Sequence, residues 1–519
     1  MSNYILEYDS DDADSRMSIQ EKLQDPATIE EIGTGKGLPL WIFHLRSQHW
    51  FLRCFFMAIL FVLSQTTPIA AVSGQFCETM VSYKDATQRY ALYLPSVYAN
   101  KTSLPVLFLM DPRGRALIPM ELFKDVAERL GYIVMSSYNT LSDADSAGAV
   151  DDRALNSMIF DAELRFKANI SRLYLVGFSG TAHYAWAKAS FLDGNVAGIV
   201  GVGSGLPIVA PEVKATLGMQ RPFAYFGVAG TADFNYDNAR LLDQQLDTTR
   251  IAHRFKTFNS FHSWPPKTLA EETIEWLQYQ AMRLGLAERN LAWMDSMCSE
   301  YLLDAQGLEQ QGLLADAMRR YREVAADCQN NPVSAEAKQQ MEKLAQSKTV
   351  KRLQKNRDKL RERFYKYQKA VIKFEQDYHR SQKSIKQEKA LKRLNIVSLK
   401  QEAADTSDWD RSNAARRMLA HAFAILGFYE PRDYMEKEDY AHAAGMLKLA
   451  QQIYPDLPRV CYWLAQAESQ LRQTKAALEA LDCAVKGKWG SRETIVQDEK
   501  LEPLHDNPVF WKIVNQDQQ

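Results

Sequence analysis

The chain has 519 residues, 46% of them hydrophobic, and a formal net charge of −1. That length exceeds one ordinary core, so two domains with extensions are expected, and the balanced charge excludes a global electrostatic pull toward nucleic acid or an anionic membrane. The six cysteines, Cys54, Cys77, Cys298, Cys328, Cys461 and Cys483, form no CxxC pair and no cluster with histidine at zinc-binding spacing, so neither a metal nor any other cofactor is expected.

Residues 1–50 are rich in acid, at Glu7, Asp9, Asp11, Asp12, Asp14, Glu30 and Glu31, and this composition predicts a disordered extension. The apolar run that begins at Cys54 and ends at Ser64 is shorter than the roughly 20 residues that span a bilayer. Arg46 and Arg53 precede it and small residues follow up to Gly74, an order that predicts a signal peptide or membrane anchor over 51–74, with cleavage after Ser73 or Gly74. The acidic stretch is unlike the start of a signal peptide. Either translation begins downstream, at Met17 or later, or the segment stays cytoplasmic ahead of an uncleaved anchor; a buried core helix is the alternative to both. The expectation is a chain exported to the periplasm or secreted, or membrane-anchored through 51–74.

From Arg89 short β-rich runs alternate with helical stretches, which predicts a mainly parallel sheet covered by helices, an α/β domain over 75–285. Strands are expected at Tyr90–Leu94, Pro105–Met110, Tyr132–Ser136, Leu173–Gly177, Gly198–Val202, Phe223–Val228 and His253–Phe258. Helices are expected at Met120–Leu130, Arg153–Lys167, Thr181–Ser190, Tyr236–Leu246 and Lys267–Leu284.

After Gly285 every stretch reads as helix, so 286–519 is expected to be all-α, with one long basic helix over 335–400. Within it Leu360, Phe364, Tyr367, Val371, Phe374 and Tyr378 alternate in steps of four and three, the spacing of a coiled-coil seam. The surrounding excess of Lys and Arg, from Lys351 and Arg352 through Arg357 and Arg363 to Lys373, reads as a solvated face or as a surface for a partner. No base-stacking pattern accompanies it, so nucleic acid is not expected. Small and aromatic residues from Gly312 and again from Asp439 fall where the second helix of a tetratricopeptide unit has them. Pro458–Leu471 and Lys475–Val485 read as a helix pair, with Ala465, Ala467, Ala476 and Ala477 letting the backbones approach. An irregular bundle is the alternative. Cys461 and Cys483 lie either side of the turn near Gln473, either bridged or as two buried thiols.

Leu173–Ala182 reads as a buried strand, a tight turn and a helix, the context of a nucleophile elbow, and Gly177-Phe178-Ser179-Gly180-Thr181 fits G-x-S-x-G except that Thr181 replaces the last glycine. A nucleophilic serine needs a base and an acid, in this chain order Ser, Asp, His. Asp233 follows one expected strand and His262 the next, which makes Ser179, Asp233 and His262 the candidate triad, with Asp237 as fallback acid and an N-terminal helix cap as the plain alternative role for Asp233. His183 is expected to be structural, and His253 has no partner visible in the sequence. An oxyanion needs N–H donors from the residue after the nucleophile and from the loop after the third strand of the fold. Gly180 supplies the first; in Asp111-Pro112-Arg113-Gly114, Pro112 has no N–H, which leaves Arg113.

The segments Arg89-Tyr-Ala-Leu-Tyr-Leu-Pro, Leu175-Val-Gly-Phe-Ser-Gly and Phe261-His-Ser-Trp-Pro-Pro resemble the polyhydroxybutyrate-depolymerase and feruloyl-esterase-like branch of α/β hydrolases, over about 200 residues. The resemblance implies an α/β-hydrolase fold and an exported serine esterase whose catalytic histidine precedes Trp-Pro, as His262 does. The branch has His-Gly where this chain has Asp111-Pro112, and Gly where it has Thr181. The C-terminal half is similar to tetratricopeptide-like repeats, which in other proteins bind peptides or partner proteins in a groove. The sequence therefore points to a carboxylic-ester hydrolase taking a small or polymeric ester, with a protein partner on the helical half. An inactive hydrolase-fold platform and a serine peptidase are the alternatives.

Overall fold

The structure is a computed structural model; it describes residues 73–142, 147–192, 194–206, 210–217, 219, 223–380 and 387–516. The acidic extension and the signal-like run up to 72 lie outside these residues. Among the described residues no helix is long and apolar enough to cross a membrane.

The strands are β1 (Phe76–Val81), β2 (Arg89–Tyr93), β3 (Leu104–Met110), β4 (Ile133–Ser137), β5 (Ala168–Phe178), β6 (Val196–Val202), β7 (Ala224–Gly230) and β8 (His253–Phe258). They form one sheet in the order β1-β2-β4-β3-β5-β6-β7-β8. The β1–β2 and β2–β4 pairs are antiparallel and the rest parallel, which is the α/β-hydrolase arrangement. Strands β3, β6 and β7 are buried at every position, and so their sequences read as unbroken apolar runs rather than alternating ones. The sequence pattern missed β1. It is a bulged edge strand that buries Met80 but leaves Phe76 and Val81 exposed, so it carries no period-two signal.

The helices that cover the sheet are α1 (Leu117–Leu130), α2 (Ala147–Arg165), α3 (Gly180–Phe191), α4 (Pro211–Leu217), α5 (Tyr236–Leu246) and α6 (Lys267–Arg283). On one face Leu107, Leu109 and Val176 pack with Phe123 of α1 and Trp276 of α6. On the other, Val106, Phe108 and Ile199 pack with Leu155 of α2, Trp186 of α3 and Leu242 of α5.

The first core does not stop at residue 285. Helices α7 (Leu291–Gln310), α8 (Leu314–Asp327) and α9 (Val333–Gln346) add Met297, Tyr301, Tyr321, Val324 and Leu344 to it. A buried polar clasp fastens this extension: Asp327 of α8 accepts from Arg254 Nε at 2.9 Å, Trp276 Nε1 at 2.8 Å and Gln280 Nε2 at 2.7 Å. Asp327 thus gives the buried Arg254 guanidinium a countercharge. Cys298 and Cys328 are bridged across α7 and α8, a pairing the sequence reading did not foresee.

A second core is built by α10 (Lys348–His379), α11 (Gln387–Arg393), α12 (Ile396–Ala404), α13 (Trp409–Ala424), a π-helical turn (Ile425–Tyr429), α14 (Glu430–Glu436), α15 (Tyr440–Ile453), α16 (Pro458–Gln470), α17 (Thr474–Lys486), α18 (Arg492–Val496) and α19 (Pro508–Val514). The stretch 335–400 is therefore not one long helix. Ser347, in extended conformation, ends α9 and starts α10, and Asn395, in the left-handed region at φ 53°, starts α12. The four-three seam is the core-facing stripe of α10: Phe364, Val371, Phe374 and Tyr378 are buried with Ala414 and Met418 of α13. Arg357 pairs with Asp316 and Asp410 and Arg363 with Glu402, while Lys351, Lys355, Lys359, Lys366, Lys369 and Lys373 are exposed. Cys461 and Cys483 are bridged between α16 and α17, where buried Ala465, Ala467 and Ala477 allow the close approach.

Candidate active site

Strand β5 runs in the middle of the sheet and α3 begins at Gly180, so Ser179 must reverse the chain in a single residue. It does so at φ 55° and ψ −120°, a region costly for any residue with a Cβ and held only by its surroundings. Two features hold it. A Cβ on Gly177 would lie 2.6 Å from Ala182 N and 2.5 Å from Thr181 O, so the strand before the turn must be glycine there. The Thr181 hydroxyl accepts the Phe178 N–H at 2.9 Å and reaches Met110 O at 2.6 Å and Phe178 O at 2.8 Å, tying the elbow to the end of β3. The departure from glycine at Thr181 is thus a bracket within the turn. The Ser179 N–H continues the β5–β6 ladder to Val202 O at 2.8 Å, and the residue is 5% exposed.

Asp233 lies on the turn after β7 and His262 on the turn after β8. The structure brings them together: His262 Nδ1 is 3.0 Å from Asp233 Oδ1 and 2.9 Å from Oδ2. An ionised carboxylate only accepts, so Nδ1 carries the proton and Nε2 is left as the basic nitrogen. The imidazole is packed by Phe178 at 4.6 Å and Phe234 at 4.4 Å between ring centroids. Gly203, at φ 58°, makes room beneath the pair: a Cβ there would stand 2.9 Å from both Asp233 Oδ2 and His262 Nδ1. Among the described residues no hydrogen bond joins Ser179 Oγ to His262, a contact that in an unliganded site often tightens only on substrate binding.

Asp237, the fallback acid, pairs with Arg417 Nε at 3.0 Å, and His262 takes Asp233 instead. Asp233 does not cap α5 through its side chain; the N-cap is Asn235, whose own N–H goes to Asp233 Oδ1 at 2.8 Å. His183 has its Nε2 buried; burial pulls its pKa down to about 4, so it stays neutral. His253 does have a partner, Asp247 Oδ1 at 3.2 Å from Nε2. Burial pushes its pKa down, but the carboxylates of Asp247 and Asp243 outweigh this and raise it.

The oxyanion assignments divide. Gly180 is the first residue of α3, where an N–H has no acceptor within the helix and the dipole favours negative charge. Ser142 closes over it: a Cβ on Gly180 would meet Ser142 Cβ at 2.7 Å. Arg113 is corrected. Its N–H is donated to Asp111 Oδ1 at 2.9 Å, and the Gly114 N–H to Asp111 O at 3.0 Å, so the turn after β3 closes on its own aspartate rather than opening toward a substrate. The Arg113 guanidinium lies instead 5.1 Å from the ring centroid of Phe428, in the π-helical turn. What the sequence missed is the reach of the helical half to this edge of the sheet. Besides Phe428, Tyr454 lies 5.9 Å from Phe261, ring to ring, beside His262. Sequence separation hid these contacts, although the runs of aromatic residues in the helices were visible.

No family model matches the chain, and no curated protein does. Solved structures similar to it include an S-formylglutathione hydrolase from Agrobacterium tumefaciens, 14% identical over 40% of this chain and 94% of its own, with a TM-score of 0.32. A ferulic acid esterase is 13% identical over 40% of this chain and 98% of its own, TM-score 0.32. A Bacillus cereus carboxylesterase is 16% identical over 38% and 96%, TM-score 0.30.

Proposed function

We propose that the chain is a serine hydrolase of carboxylic esters. The observation that carries this reading is the doubly contacted Asp233–His262 pair, held by the turns after β7 and β8, together with a serine in an elbow of positive φ. Asp233 fixes the tautomer of His262; His262 Nε2 takes the proton of Ser179 Oγ as it attacks the acyl carbonyl, and the Gly180 N–H meets the negative charge on the tetrahedral oxygen. Return of that proton to the alkoxide expels the alcohol and leaves an acyl-enzyme. Water deprotonated by the same imidazole then releases the acid and restores Ser179.

A second reading has its own observation: the N–H groups of Arg113 and Gly114 are spent on Asp111. On this reading the hydrolase fold is an inactive platform and the helical, tetratricopeptide-like half binds a partner protein. One experiment separates the two. A fluorophosphonate probe on the purified full chain labels Ser179 if the esterase reading holds, and Ser179→Ala abolishes the label. An unlabelled folded protein, or a label that survives S179A, sinks it. Profiling p-nitrophenyl esters of increasing acyl length beside peptide substrates, with S179A as blank, then divides ester from amide.

The same proposal extends to location. The Cys298–Cys328 and Cys461–Cys483 bridges suit an oxidising compartment, in keeping with the signal-like order of residues 51–74. Peptide mapping without reductant on protein from the native host, finding those four thiols free, would contradict it.

A further inference from the structure

The turn that carries Asp233 is closed by local bonds, Asp233 N–H to Gly230 O at 3.1 Å and Tyr236 N–H to Asp233 O at 3.0 Å. It is sewn to the His262 turn by Thr231 N–H to Phe258 O at 2.9 Å and Ala232 N–H to Ser260 O at 3.0 Å. These bonds fix the inner side of the turn. The outer side is held from the helical half, by Arg417 of α13.

Arg417 Nη1 donates to Thr231 O at 3.0 Å, a contact 186 residues apart in the chain, and Nε faces Asp237 Oδ2 at 3.0 Å. The guanidinium also lies 4.4 Å from the ring centroid of Tyr236. Arg417 is 6% exposed and Asp237 4% exposed. A planar, permanently charged fork taken out of water holds its partners far more rigidly than a solvated one. Here it holds Thr231, two residues before Asp233, by a hydrogen bond, and Asp237, four residues after it, by opposite charge at 3.0 Å without a hydrogen bond. Two further contacts tie the helical half to this region: Phe234 packs against the helical core, and Tyr365 Oη of α10 donates to Asn238 Oδ1 at 3.1 Å.

We propose that Arg417 is a positioning residue for the Asp233–His262 pair, so that the helical half completes the catalytic edge of the hydrolase fold; the inference rests on the esterase reading above. Its contribution is geometric. A displacement of about 1 Å in a catalytic group can cost on the order of 100-fold in rate, and loss of the fork frees the outer side of the turn that sets where Asp233 stands.

The test uses the full chain, Arg417→Met and Arg417→Lys, with two readouts. The first is the downfield proton resonance of His262 Nδ1, which reports the bond to Asp233 whether or not esters turn over. The second is kcat and KM on a p-nitrophenyl ester. In folded R417M the resonance broadens or vanishes and kcat falls at least about 10-fold with KM within about 2-fold, the signature of a lost transition-state interaction; R417K restores part of both. A folded R417M with the parental resonance and kcat overturns the inference. If the parental protein shows the resonance but turns over no ester, the esterase reading has failed, and the R417M spectrum alone decides for or against the positioning role. Should R417M not fold, Asp237→Asn carries the same test, with a smaller fall of about 3-fold expected and a parental spectrum and rate counting against.

Discussion

Asp111 Oδ2 accepts the indole N–H of Trp264 at 2.9 Å, a bond that joins the turn after β3 to the turn of His262 across 153 residues of chain. Asp111 is fully buried and also receives Arg115 through Nε at 2.9 Å and Nη2 at 2.8 Å. Asp111 is thus a carboxylate hub that ties the turn after β3 to the histidine turn. The Asp111 side chain holds the histidine turn through Trp264 and also takes the Arg113 N–H, while the Gly114 N–H goes to the Asp111 carbonyl.

Asp111→Asn tests that hub. Burial pushes the Asp111 carboxyl up, but its hydrogen bonds to Arg115 and Trp264 outweigh burial and leave its pKa lowered. A lowered folded pKa means stability that is complete above the unfolded value of about 3.9 and is lost as pH falls through the folded one. At pH 7 the variant should be less stable by about 2 kcal/mol or more, since a buried charge-assisted set is broken. Below about pH 4 the gap should close. Urea midpoints measured from pH 7 down to pH 2.5 check this; a gap that stays constant over that range would contradict it.

Thr181→Val keeps the shape of the side chain and removes the hydroxyl that brackets the elbow. The buried Phe178 N–H then has no partner, which costs about 1–3 kcal/mol, and the strained Ser179 loses one of its restraints. Thermal unfolding should show the loss in T181V and near-parental behaviour in T181S, and fluorophosphonate labelling should slow in T181V alone. Equal labelling rates in both variants would remove Thr181 from the account of the elbow.

The difference between Thr181 and Arg113 shows how far the sequence could be read. The Asp233–His262 contact was legible because each residue follows a strand, and strand ends of this fold gather at one edge; order along the chain stood in for proximity. Arg113 was reached by elimination from a four-residue turn. Nothing linear reveals that the Asp111 side chain folds back on the N–H groups of its own turn, or that Asp237 is claimed by an arginine in another half of the molecule. The break of the 335–400 stretch was hidden for a related reason. The segments α9 and α10 both have helix-forming sequences, and nothing linear shows that α10 carries Val350 into the sheet-side core and Phe364 into the helical one. Strand β1 and the Asp327 clasp are likewise products of tertiary packing.

Gly203→Ala should cost activity without unfolding the protein. The added Cβ would sit 2.9 Å from Asp233 Oδ2 and His262 Nδ1, in a backbone at φ 58° that alanine adopts reluctantly. The surroundings must yield by several tenths of an ångström, and the groups that yield are the acid and the base. Turnover is expected to drop on the order of 100-fold while secondary structure and the transition midpoint change little. Parental turnover in G203A would mean that the pair does not need its present register to work.

Glu430 opens α14 directly after the turn that sets Phe428 against Arg113, and its stability contribution should run opposite to that of Asp111. Burial, then the negative charges of Glu375 and Asp433, push its carboxyl up to about 7, and burial raises Glu375 as well. A carboxyl whose folded pKa is raised contributes stability that is complete below its unfolded value of about 4.3 and is lost as pH rises through about 7. Glu430→Gln, neutral at every pH, should therefore match the parental melting temperature near pH 4 and exceed it at pH 8. Differential scanning calorimetry across that range provides the measurement. Parallel curves, or a variant that falls further behind as the pH rises, would show that Glu430 does not carry this pH dependence.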